Sequence, residues 1–172
     1  VVGVSPDLDA RCTFERFLAK RIRTESTVAM TSCATVTRRD PLTRESIEEA
    51  VKAQNIDAVV ATILVSKDWH IKKGGDMDTR GGGGYKAIDS GWATGYYGVY
   101  GVPVIYGEFQ TAPSVTTLKG DAEVTTRVFA TSGPTLVYTM DTVVKSFEGR
   151  AEGLDAVTTP IAERLRSTGL TH

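Results

Sequence analysis

Ala58-Val59-Val60-Ala61-Thr62-Ile63-Leu64-Val65 decides the fold. The run is apolar at nearly every position and rich in β-branched side chains, so it lacks the alternation of a strand with one wet face. A run of this kind fits a central strand covered on both sides, as in an α/β protein. It is also far shorter than the roughly 20 residues needed to cross a bilayer. Burial inside a folded domain is the reading it supports.

Upstream of this strand the chain alternates helix and strand. Thr43 is a natural N-cap, and Leu42 before it can pack on Ile47 as a hydrophobic staple, with Ala50 and Val51 extending the apolar face. Asn55 suits the left-handed turn that ends such a helix. Thr27–Cys33 reads as a second strand, and Arg38-Arg39-Asp40-Pro41 as the punctuation after it. Earlier still, Phe14, Phe17, Leu18 and Ile22 recur at three- and four-residue spacing among charged positions, the pattern of an amphipathic helix. Asp7 and Asp9 are its candidate N-caps, and Val1–Val4 is a short strand before them. The order β-α-β-α-β favours parallel strands joined by right-handed crossovers.

Downstream the pattern breaks. From Lys72 to Pro113 no helical or strand period is sustained; glycines at 74, 75, 81–84, 91, 95, 98, 101 and 107 interleave with Tyr85, Trp92, Tyr96, Tyr97, Tyr100 and Tyr106. Regular structure resumes at Ala122–Ala130, turns at Thr131-Ser132-Gly133-Pro134, and returns along Leu136–Phe147 as a hairpin. A closing helix to Ser167 has Val157, Ile161 and Leu165 on one face, with Pro160 starting its regular part or kinking it. Gly169 and Leu170 supply a Schellman ending. The expectation is an α/β fold in a single domain over residues 1–172: a five-stranded mixed sheet, three helices, and a Gly/Tyr/Trp-rich insertion over 72–113.

Composition narrows the partners. Twenty basic against 21 acidic side chains leave a net charge of −1, so the electrostatic footprint of a nucleic-acid or anionic-membrane binder is absent. Cys12 and Cys33 are the only thiols, too few for a disulfide scaffold or a four-ligand zinc site. If Cys12 opens the first helix and Cys33 ends the second strand, both lie at one pole of the sheet. They are then either a disulfide or two small buried residues.

No catalytic signature is present. The first βα turn lacks both the dinucleotide and the P-loop glycine spacings, and Gly81–Gly84 does not lead into a helix as a phosphate cradle must. Asp7 and Asp9 after strand one and Asp68 closing strand three would be neighbours in a doubly wound sheet, where carboxylates can hold Mg²⁺ or present a phosphoacceptor. Capping by Asp7 or Asp9 and a solvated Asp68 is the plainer reading. Asp76-Met77-Asp78 opens like a calcium loop but has no closing Glu, and His70 has no flanking nucleophile signature. Trp92, Tyr96, Tyr97, Tyr100 and Tyr106 are the candidate binding residues, because aromatic rings can stack on sugars or clamp a partner at low entropic cost. Otherwise they tack the insertion onto the domain.

Several stretches together resemble a known family. They are Val1-Val2-Gly3-Val4-Ser5-Pro6-Asp7 opening into a helix, Ile56-Asp57-Ala58-Val59-Val60, Tyr96-Tyr97-Gly98-Val99-Tyr100, and Gly133-Pro134-Thr135-Leu136-Val137-Tyr138-Thr139 before the final helix. The chain is similar to small bacterial cell-envelope lipoproteins whose soluble part has a TolB amino-terminal-like α/β fold. The resemblance implies a periplasmic protein tethered to the outer membrane through a lipidated Cys upstream of Val1. It also implies a non-catalytic binding or assembly module with a protein or peptidoglycan-type glycan partner, and no cofactor. The alternative is a small Mg²⁺-dependent or phosphoacceptor-type domain using Asp7, Asp9 and Asp68.

Overall fold

A computed structural model describes residues 1–5, 7–36, 42–73, 77–80, 84–89, 105–109, 118–133 and 135–171. Its elements in chain order are β1 (Val2–Val4), α1 (Leu8–Ile22), α2 (Ser32–Thr35), α3 (Arg44–Ala53), β2 (Ala58–Lys73), β3 (Met77–Arg80), β4 (Gly84–Asp89), β5 (Ile105–Phe109), β6 (Leu118–Ala130), β7 (Thr135–Phe147) and α4 (Gly149–Ser167). The protein is mixed α/β. Four adjacent strands, β1-β2-β6-β7, form a mixed sheet in which β1 runs parallel to β2 and the other pairs are antiparallel.

The apolar run sits where its composition demands. Val60 and Leu64 pack with Val124 and Val128 against Leu18, Ala19 and Ile22 of α1 and Val157, Ile161 and Leu165 of α4. Val59 and Ala61 face the other way, with Phe129, against Ile47 of α3. Leu18, Ile63, Phe129, Ile161 and Leu165 are fully buried, each contributing about 1.5–3 kcal/mol of transfer free energy. Between the two strands that carry most of this core, the hydroxyls of Thr62 and Thr126 bond each other at 3.0 Å, so neither buried oxygen is left unpaired.

Local signals are honoured at the helix ends. Thr43 caps α3, accepting from the Ser46 N–H while the Ser46 hydroxyl accepts from the Thr43 N–H, and Leu42 packs on the cluster that holds Ile47. Asn55 takes φ 48° after α3. At the end of α4, Gly169 has φ 72° and the Gly169 and Leu170 N–H groups return to the Arg166 and Leu165 carbonyls, a Schellman closure. Pro160 lies inside α4, which continues through it.

Three expectations need correction. Thr27–Cys33 is not a strand: the backbone of 27–31 joins no ladder, and Ser32–Thr35 is one helical turn. Two donors of this segment go to a side chain, since the buried Glu15 carboxylate accepts from the Ser32 hydroxyl at 2.6 Å and the Cys33 N–H at 3.0 Å, while the Ser32 N–H donates to the Val1 carbonyl at 2.9 Å. The expected five strands and three helices thus become four strands and four helices around the main core. The third strand also does not stop at Val65. It runs on to Lys73, and along this extension β4 and then β3 take the edge that β1 occupies earlier. The insertion over 72–113 therefore contains strands, β3, β4 and β5, supported by pairing to β2 and to each other rather than by any apolar period of their own. Among the described residues no helix is long and apolar enough to cross a membrane.

Candidate functional site

α1 follows β1 and α4 follows β7, and both start at the same end of the sheet. Arg150 of α4 reaches the Thr13 hydroxyl of α1 at 3.4 Å; further along both helices Arg21 donates to the Thr158 hydroxyl at 2.9 Å and pairs with Asp155. The helices therefore run side by side in the same direction, with their N-termini together. Between those N-termini and the sheet lies a half-open pocket with a cavity volume of about 130 Å³. Ligand sites of α/β sheets favour this location, beyond the carboxyl ends of strands.

Two β-bulges build the pocket wall. Leu64 pairs with Val124 but Ser66 with Glu123, so Val65 is an extra residue on β2. A regular strand would turn Ser66 and Asp68 toward the helices; the bulge turns Lys67 and Trp69 there instead. In β7 the register steps from Val144 opposite Ala122 to Phe147 opposite Gly120, again with one residue too many. Ser146 absorbs it with φ 59°, and its N–H donates to the Asp121 carboxylate at 2.8 Å. Phe147 is thereby aimed onto the same face as Trp69, and the rings meet edge to face at 5.4 Å.

The lining is apolar below and charged at the rim. Phe14, Leu64, Trp69, Val124, Phe147 and Val157 form the floor and walls, and Asp7, Arg11, Lys67 and Arg150 stand among them. The Lys67 ammonium lies 5.0 Å from the centre of the Trp69 ring. Burial holds its pKa below the usual lysine range, the Arg150 guanidinium pushes the same way, and Asp7 opposes both. Arg11 leans on Glu15, with 3.6 Å between Nε and the carboxylate.

Behind this wall the Cys12–Cys33 disulfide, with Cα atoms 5.7 Å apart, and Glu15 tie α1 to α2. Glu15 also accepts from the Gly3 N–H at 2.9 Å, which locks β1 to the same helix. Cys33 reaches Cys12 from the turn of α2 and not from a strand end, so the geometry behind the bond differs from the sequence argument.

The residues singled out from sequence fall in three places. Asp7 is the N-cap of α1, accepting from the Ala10 N–H at 2.9 Å, and stands at the pocket rim. Asp9 lies in the first turn of α1, and Asp68 sits mid-strand on β2 opposite Asp121 rather than at a strand end. The three are not brought together, and among the described residues no group of three His, Cys, Asp or Glu side chains could hold a metal ion. Trp92, Tyr96, Tyr97 and Tyr100 lie outside the described residues, and Tyr106 is placed by its backbone in β5 opposite Ala87. The pocket residues Lys67, Trp69, Phe147 and Arg150 were not legible as a site. The one available signal was the polar-aromatic alternation Ser66-Lys67-Asp68-Trp69 at the end of an apolar strand.

Comparison with known proteins gives no match: no family model, no curated protein and no solved structure.

Proposed function

We propose that the chain is a non-catalytic binding domain of the bacterial cell envelope, exported to the periplasm and tethered to the outer membrane by a lipid anchor, and that its ligand enters the pocket between α1, α4 and the sheet. The TolB amino-terminal-like resemblance supports the envelope setting. The Cys12–Cys33 bond adds to it, because disulfides persist in oxidising compartments such as the periplasm.

The observation that carries the binding reading is the pocket itself. It is mostly apolar with a few polar groups at the rim, and two bulged strands aim aromatic side chains into it. A bulge forfeits ladder pairing, so two of them converging on one cavity favour a site over a packing defect. Contact of an envelope protein or glycan with the aromatic insertion remains part of this proposal, as a second surface of the same module.

The test is saturable binding of the neutral dye phenylnaphthylamine, followed by its fluorescence, to the wild type and to Ala122→Phe, which fills the pocket from β6. Circular dichroism and melting confirm that the variant is folded. Stoichiometric binding by the wild type and its loss in the folded variant are expected. Equal binding by both would remove the pocket from the function.

A further inference from the structure

The charged groups at the pocket rim are unequal in sign. Arg11, Lys67 and Arg150 carry positive charge, and Asp7 alone carries negative. Arg11 is already leaning on the buried Glu15. Asp7 is already engaged, since its carboxylate accepts from the Ala10 N–H as the cap of α1. Lys67 and Arg150 are then two like charges sharing one partly engaged counter-charge over an apolar cavity.

Both α1 and α4 present their N-termini to the cavity, where the partial positive charge of the helix dipole lies. α1 is capped by Asp7; at the start of α4 the Glu148 side chain turns to Lys119 and the Glu152 carboxylate accepts from the Glu148 N–H at 2.6 Å. Three cationic side chains and an apolar floor are complementary to one kind of molecule.

We infer that the pocket takes a small amphiphilic organic anion, with a carboxylate or similar head held by Lys67 and Arg150 and a flat apolar body lying against Phe14, Leu64 and Trp69. This deepens the pocket reading above and rests on it. The arrangement explains why a lysine is kept on a wall that is otherwise apolar. Its ammonium is partly desolvated and repelled by Arg150, and an incoming anion relieves both penalties at once. A cationic or neutral ligand would relieve neither.

The test compares naphthylacetate with naphthylacetamide, two probes of one shape that differ in charge. Titration of the wild type, followed by tryptophan fluorescence or calorimetry, is expected to show the carboxylate binding about tenfold tighter or more, as suits a charge-assisted hydrogen bond in a sheltered site. That preference should shrink as salt is raised. Arg150 is exposed, so Arg150→Gln leaves the fold intact, and Lys67→Met keeps the apolar stem; each should weaken the carboxylate markedly more than the amide, whose carbonyl accepts from the same donors without a charge, and so cut the preference. Equal affinity for the two probes overturns the inference, as does failure to bind the carboxylate by a protein that still binds the neutral dye. Both of those outcomes leave the pocket reading standing. Loss of dye binding as well removes the pocket reading and the inference together.

Discussion

Trp69 and Phe147 stand on strands that are not neighbours, yet their rings meet edge to face with centroids 5.4 Å apart. β6 runs between β2 and β7, and the residue in register with both aromatics is Gly120. The rings close over the gap that this glycine leaves. A Cβ there would fall inside the Phe147 ring contact and 2.9 Å from Trp69, and on the far side a Cβ at Gly153 of α4 would come within 2.7 Å of Phe147. Gly120→Ala should therefore destabilise the fold by about 1–3 kcal/mol, the usual cost of overpacking a filled site. It should also alter the near-ultraviolet circular dichroism, because the Trp69–Phe147 geometry must open. Urea unfolding within error of the wild type would show that the row is not packed as described.

The Cys12–Cys33 bond closes a loop of 21 residues that contains most of α1 and the segment leading to α2. On the chain-entropy model a loop of that length contributes about 3 kcal/mol. Cys12→Ser with Cys33→Ser should lower the urea midpoint by the corresponding amount while leaving far-ultraviolet circular dichroism largely unchanged. The same bond checks the compartment. Thiol labelling of the protein in intact cells should leave both cysteines unmodified; ready labelling of both would argue for a reducing compartment and against export.

Glu15 is fully buried and organises three segments at once, through the Gly3 N–H, the Ser32 hydroxyl and the Cys33 N–H. Every one of these partners donates, and a carboxylate is the side chain that only accepts. Glu15→Gln puts an NH₂ group where a donor already points, and takes away the charge beside Arg11. A loss of about 3 kcal/mol is expected, as when one member of a buried charged pair is removed. Amide exchange at Gly3 and Cys33 should rise more than at Val128, in the centre of the sheet. A variant within about half a kcal/mol of the wild type would refute the organising role.

What the sequence disclosed was governed by distance along the chain. The Thr43 cap, the Asn55 turn and the Gly169-Leu170 closure each depend on partners within a few residues, so their signals are local. Burial on both faces of β2 could be read because Val59 and Ala61, Val60 and Leu64 are all apolar and need no phase to be assigned. Thr27–Cys33 has strand-like composition, but its fate is set by Glu15, 17 residues before Ser32, and no local pattern carries that. The site was hidden for a related reason. Its wall depends on a phase slip at Val65 and another at Ser146, and neither position carries the Gly or Asn that would mark a bulge or a left-handed residue. Once the phase is known, Lys67 and Trp69 follow directly.

Lys67 gives the fold a pH dependence whose sign can be stated. The unfolded chain keeps its proton up to the ordinary lysine value of 10.5, whereas in the fold burial and Arg150, against the opposing pull of Asp7, release it at lower pH. Between those two values the unfolded state binds more protons, so raising the pH stabilises the fold; below the folded value the full penalty of holding the charge persists. Lys67→Met removes the charge and keeps the stem, at the loss of the contact with Trp69. The variant should be more stable than the wild type at neutral pH. Its advantage should shrink through the alkaline range and level off above the ordinary lysine value. Taking the difference between the two proteins at each pH cancels the contributions that the two have in common. A difference that stays constant from neutral pH into the alkaline range would mean that Lys67 is not strained by its burial, and that no unmet demand for an anion exists at this wall.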